Sequence, residues 1–280
     1  MPGKKLYFGT NLKMYKGIRE TVSYLSQLEQ LTADMDPETV QLFVIPSYTS
    51  LPDAVRSLRH KRLLLGAQNM CWEEKGQFTG EISPLMLKEL GLDLVEISPL
   101  MLQELGISIV ELGHSERRHV FGETNAMINQ KVIAGLKSGF TVLLCVGETE
   151  EEKNWGISDE TLRIQLKTGL KDIPPGLTGR LWIAYEPVWA IGINGQPASV
   201  EYARDKHELI RNTLYEIAGT DGREIPLLYG GSVNPSNADA LILQPSVDGL
   251  FVGRSAWNAA DFNALIRSAI HSAAYKQQCT

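Results

Sequence analysis

A chain of 280 residues and 31.0 kDa, 43% of it hydrophobic, can bury a sizeable core and lies just above the size of one closed α/β barrel, so residues 1–280 are expected to form one domain. The formal charge of -6 and the pI near 5.5 offer no footprint for nucleic acid or an anionic membrane, and leave room only for a local basic pocket. Cys71, Cys145 and Cys279 are scattered, odd in number and without CxxC spacing, which argues against a disulfide framework or a zinc site; with no long apolar run for a signal or a span, a cytoplasmic protein is expected.

LYFGTN opens the chain as a short β-rich run and leads into a helical stretch. There follow VQLFVIP with the helical SLPDAVRSLR, then RLLLGAQNM, ISIVELGH, FTVLLCVGE, LWIAYEP, IPLLYGG and DGLFVGR. Near-continuous apolar strands separated by amphipathic segments predict a parallel sheet covered by helices. Eight such units suggest closure into a barrel, although an open doubly wound sheet would give a similar pattern. Polar and glycine-rich residues cluster just after the strands, as in Asn11 and Lys13, GHSERR, GETEEE, EPVWAIG, GGSVN and GRSAWN. A parallel barrel gathers such loops on one face, and chemistry is expected there.

Between the third and fourth strands the chain repeats itself. Residues 81–95, EISPLMLKELGLDLV, are followed directly by residues 96–110, EISPLMLQELGISIV. A period of 15 found only twice is a tandem duplication, too short for a helical solenoid repeat. Only the second copy runs on into LGHSERR. It is therefore expected to form the fourth strand, with one SPLML helix, or part of it, extruded.

AYEPVWAIG at residues 184–192, GHSERRHVFGE at 113–123, FTGE at 78–81, CVGET and YGGSVN stand in one order along nearly the whole chain. Together they resemble the signatures of the triose-phosphate isomerase family, which implies a single (β/α)8 TIM barrel of eight parallel strands and outer helices. Alone, any one of them would read as an ordinary turn. The resemblance implies a phosphosugar isomerase that needs no cofactor, metal, nucleic acid or membrane, and that forms a homodimer through the FTGE loop.

Glu186 follows the apolar run LWIAY, so its carboxylate should sit at a strand end where partial desolvation raises its pKa. The resemblance makes it the general base, with the segment after Pro187 as a hinged lid that excludes water. His114 ends a strand, and the resemblance makes it the neutral imidazole that donates to the substrate oxygens, an assignment belonging to the family as a whole. Ser115 and Glu116 would support it. His60, His207 and His271 are expected to be structural. Asn11 and Lys13, two apart on the first strand, point to one side of it. By resemblance Lys13 supplies positive charge to the phosphate and enediolate and Asn11 orients it. Backbone N–H groups at Gly192, Ser232 and Gly253 would bind the phosphate.

The chain departs from the family's commoner pattern at Leu12, at the lid sequence AIGINGQPAS, and at Arg254 after Gly253. With NMCW, GEISPLMLK, GGSVNP and GRSAWN, these departures resemble the branch that isomerises erythrulose phosphates in erythritol catabolism. The favoured expectation is conversion of L-erythrulose 1-phosphate to D-erythrulose 4-phosphate. The alternatives are the triose reaction of glycolysis and gluconeogenesis, dihydroxyacetone phosphate to glyceraldehyde 3-phosphate, and a barrel that binds phosphosugar but is inactivated by the duplication. One extra hydroxymethyl group is worth only about 1–3 kcal/mol to a pocket that has no dedicated polar contact for it.

Overall fold

The structure, a computed structural model, describes residues 4–58, 62–90, 106–192 and 195–279. Eight parallel strands close into a barrel in sequence order: β1 Leu6–Asn11, β2 Val40–Ile45, β3 Leu63–Ala67, β4 Ile107–Leu112, β5 Thr141–Val146, β6 Leu181–Tyr185, β7 Leu227–Tyr229 and β8 Gly249–Phe251. Closure comes from β8 pairing with β1, where Gly9 stands opposite Phe251, and it excludes the open doubly wound sheet. Each strand lies within the apolar run that predicts it, because strands covered on both faces favour continuous Val, Leu and Ile.

Those two faces fill two different cores. Outward side chains such as Leu42, Val110, Leu144 and Ile183 pack under helices including Ile18–Leu31, Asn125–Lys137 and Val200–Ala218. Inward ones, among them Phe43, Ile109, Leu143, Cys145, Trp182, Leu228 and Phe251, fill the barrel. Gly9 makes room in that interior, since a Cβ there would fall 2.0 Å from Cζ of Phe43. Strand alternation then fixes which residues crown it. Tyr7 and Ile109 face inward, so Asn11 and Glu111 do too, in one upper layer with Cys145 and Glu186.

The duplicated segment is divided between its copies. Helix Pro84–Glu89 comes from the first; Ser83 Oγ caps it by accepting from Met86 N at 3.1 Å, and Leu87 is buried beneath it. The fourth strand comes from the second copy, as its continuation into GHSERR requires. The expected extrusion of an SPLML helix would fall on residues 91–105, which lie outside the described residues, as does His60. Among the described residues no helix is long and apolar enough to cross a membrane.

Candidate active site

A cleft of about 470 Å³ opens at the carboxyl ends of the strands. Asn11, Lys13, His114, Glu116, Glu186, Gly192, Ser232 and Gly253 all line it. Ser115 does not; it is buried behind the cleft as the first residue of helix Ser115–His119.

Asn11 ends β1 with its carboxamide locked. Its Oδ1 accepts from Lys13 N at 2.6 Å and Gln68 Nε2 at 3.1 Å, and its Nδ2 donates to Glu111 Oε2 at 2.6 Å. The bond to Lys13 N matters because Lys13 has φ +48°, a left-handed conformation that costs an ordinary side chain about 1–2 kcal/mol. That turn brings Lys13 Nζ over the cleft, 2.7 Å from Glu116 Oε1.

His114 caps the helix that follows it, its Nδ1 accepting from Glu116 N at 3.1 Å. An acceptor Nδ1 leaves the proton on Nε2. Burial, with the Lys13 ammonium nearby, lowers the imidazole pKa to about 4, and the positive end of a helix opposes the cation further. The ring is therefore a neutral donor whose Nε2 points toward Glu186 Oε2, 3.7 Å away.

Glu186 leaves β6 with its N–H bonded to Val146 O at 2.8 Å. Two glycines admit it. A Cβ on Gly147 would strike Glu186 O, and one on Gly230 would lie 2.7 Å from Glu186 Cγ. The side chain is buried and Oε2 has no hydrogen-bond partner among the described residues. Desolvation pushes its pKa up to about 8, against the opposing pull of Lys13. A carboxylate so poorly solvated is a strong base for a nearby C–H.

At the other end of the cleft the N–H groups of Gly192, Ser232 and Gly253 are not used by hydrogen bonds among the described residues. Gly192 has φ +86°, a conformation suited to glycine. Arg254 donates from Nη2 to Gly192 O at 3.2 Å, tying the segment after β6 to the one after β8.

Three residues were not assigned from the sequence. Glu148, in CVGET, is buried and accepts from Tyr185 Oη, from Trp189 Nε1 at 2.9 Å and from Tyr202 Oη at 2.9 Å, anchoring the segment beyond Glu186. Arg254 was visible only as a departure. Glu111 had one available signal, an acidic residue inside the apolar run ISIVEL, where a charge has no reason to be unless it faces something polar. The motif GHSERRHVFGE also serves the scaffold: buried Glu123 takes Lys131 Nζ and Arg117 Nη2, each at 2.7 Å. Among the histidines, His207 is structural as expected, buried against Ser246 O at 3.1 Å.

A closed parallel barrel that gathers a desolvated glutamate, a neutral histidine and a lysine at its carboxyl face is built as an acid–base enzyme. This chain belongs to the triosephosphate isomerase family, whose sequence profile matches residues 6–97 and 95–269. The match divides at the junction of the two repeat copies. The chain is 43% identical to an L-erythrulose-1-phosphate isomerase of Rhizobium etli, over 97% of this chain and 96% of that one. It is 40% identical to one of Brucella abortus, over 92% of this chain and 94% of that one. Among solved structures it resembles a triosephosphate isomerase from Bartonella henselae, with a TM-score of 0.80 and 31% identity over 94% of this chain and 98% of that one.

Proposed function

We propose that this chain is a phosphosugar isomerase that converts L-erythrulose 1-phosphate to D-erythrulose 4-phosphate. What carries the reading is end-to-end similarity to proteins of that name, joined to a site equipped for proton transfer between neighbouring carbons. Glu186 removes the proton from the carbon that carries the extra hydroxymethyl group. His114 Nε2–H and Lys13 stabilise the charge that develops on the two oxygens of the cis-enediolate, and Asn11 holds Lys13 in its left-handed turn. Glu186 then returns its proton to the neighbouring carbon, while the hydroxyl proton moves between the oxygens through His114. No atom or electron is gained or lost.

The phosphate lies against the N–H groups of Gly192, Ser232 and Gly253, where charge-assisted bonds from backbone amides suit an anion. Arg254, on the same wall of the cleft, adds a guanidinium. Ser115 and Glu116 support His114, Glu116 through its own N–H. The protein acts as a homodimer in the cytoplasm. Met14, Tyr15 and Phe78, exposed apolar side chains in loops after β1 and β3, support association.

The deciding experiment measures kcat/KM on L-erythrulose 1-phosphate and dihydroxyacetone phosphate side by side, with the oligomeric state recorded in the same preparation. A preference for the four-carbon sugar supports the proposal. Preference for the triose would overturn the substrate, and turnover of neither would overturn the enzyme reading.

A further inference from the structure

Beneath the cleft, behind the residues that line it, one acidic side chain has no place in the mechanism above. Glu111 sits on β4 with no exposure at all, in the upper inward layer of the barrel. One of its carboxyl oxygens, a nitrogen of His114 and a carboxyl oxygen of Glu186 lie within 4.8 Å of one another. We propose that Glu111 is a positioning residue, a neutral carboxylic acid that fixes Asn11 for the substrate and leaves Glu186 as the charged carboxylate of the site.

The hydrogen bonds carry the first half. Asn11 Oδ1 is committed to Lys13 N and Gln68 Nε2, so its NH2 group must face Glu111. Glu111 Oε2 accepts one of the two amide hydrogens at 2.6 Å. The second hydrogen is left for the cleft, which Asn11 lines and Glu111 does not. A planar amide held at both ends has no freedom to turn away, and the left-handed turn at Lys13 depends on the same carboxamide. Glu111 thus acts on the substrate through Asn11.

Charge carries the second half. Around Glu111 stand Glu186 after β6, Glu116 and His114 after β4, Lys13 after β1 and Cys145 on β5, with the Tyr48 phenol farther out within reach of its field. Lys13 is the cation that acts on both carboxyls, and it is already paired with Glu116, while Arg118, bound to Gly113 O and Cys145 O, acts on Glu186 and so favours its ionisation over that of Glu111. Two buried carboxylates beside one shared cation cannot both ionise cheaply. Burial first and the Glu186 charge second hold the Glu111 carboxyl well above the ordinary carboxylate range, and Glu186 lines the open cleft while Glu111 lies sealed beneath it. The pair therefore titrates as a unit, in which Glu186 gives up its proton and Glu111 keeps one. The remaining oxygen, Oε1, accepts from the Cys145 thiol at 3.7 Å, a weak donor that does little to hold a charge there.

This inference rests on the isomerase reading for its kinetic arm but not for its spectroscopic one. Infrared spectra of the wild-type protein, taken on the alkaline side of the Glu186 ionisation, should retain a buried carboxylic-acid C=O band that disappears in Glu111→Gln. A wild-type spectrum with carboxylate bands alone overturns the proposal whether or not the protein turns over a sugar, and needs no variant to fold. In kinetics, Glu111→Leu leaves Asn11 unclamped and should lower kcat/KM by about 10²-fold, as small misplacements in an active site do. Glu111→Gln, whose carbonyl can still accept from Asn11, should restore most of that loss with the acid limb of the pH profile unmoved. An acid limb displaced downward by about one unit or more in Glu111→Gln would show that a negative charge had been removed, and the neutral acid would be refuted. Equal kcat/KM in folded wild type and Glu111→Leu would reduce Glu111 to a scaffold residue.

Discussion

His114 Nε2 stands 3.7 Å from Glu186 Oε2, with both side chains buried at the carboxyl end of the barrel. The distance is too long for a hydrogen bond and the imidazole is not a cation, so the two do not form an ion pair. They are two separate tools. In the proposed reaction one carries a proton between carbons, and the other donates to oxygens without losing strength to a salt bridge.

Their ionisation fixes the pH profile. As the proposed base Glu186 works only as a carboxylate, and its pKa is raised by burial, so kcat/KM should climb as pH rises through a limb above the ordinary carboxylate range. His114 remains neutral down to about 4 and should contribute no limb around neutrality. A log kcat/KM profile with an acid limb near the ordinary glutamate value of about 4.3 would contradict this arrangement.

Glu186→Gln keeps the shape of the side chain and removes its basicity. Turnover should fall by about 10²–10⁴-fold, the usual worth of a general base, while binding of a phosphorylated substrate analogue survives in calorimetry. His114→Ala should cost about 10²–10³-fold in kcat through loss of the oxyanion donor. Unchanged turnover in either variant would remove that residue from the mechanism.

Arg254 lines the cleft beside Gly192 and Gly253, where the phosphate is proposed to bind, and ties Gly192 O to the segment after β8. Contact with a group that does not react strengthens ground state and transition state alike, so Arg254→Gly should raise KM with kcat held. A rise of about tenfold corresponds to about 1.4 kcal/mol. A fall in kcat at constant KM would instead place Arg254 in the chemical step.

The eight strands were legible because each is an apolar run covered on both faces, and the glycine-rich motifs marked the strand ends. That same double burial concealed Glu111. In ISIVEL every position except half-buried Ser108 is hidden from solvent, so the pattern cannot say which side chains enter the barrel; closure of the sheet decides it. Glu148 was obscured differently, since its three donors, Tyr185, Trp189 and Tyr202, come from separate segments of the chain. The repeat was legible only at one end. Continuation into GHSERR identified the copy that makes β4, but identical SPLML runs could not say which copy supplies helix Pro84–Glu89.

Replacing Glu148 with leucine leaves those three donors without their acceptor. Tyr185 is wholly buried, whereas Trp189 and Tyr202 are partly within reach of water, so the loss should be about 2–4 kcal/mol. Urea denaturation should show a lower midpoint with little change in slope. An unchanged midpoint would mean that the donors find water or new partners.

Deleting residues 81–95 should leave a folded, soluble and active barrel. The remaining copy differs from the lost one at Gln103 for Lys88, Ile107 for Leu92, Ser108 for Asp93 and Ile109 for Leu94, and the last three already belong to β4. Ser98 can cap a helix at Pro99 as Ser83 does at Pro84, and Leu102 can fill the place of buried Leu87. On that helix only Lys88, which is exposed, is exchanged for a residue of different charge. A shorter connection also reduces the entropy of closure, by about 0.6 kcal/mol for each halving of a flexible loop. Thermal unfolding should therefore occur at the same temperature or higher, with kcat/KM retained. Loss of soluble protein would show that the two copies are not interchangeable and that both are needed for the fold.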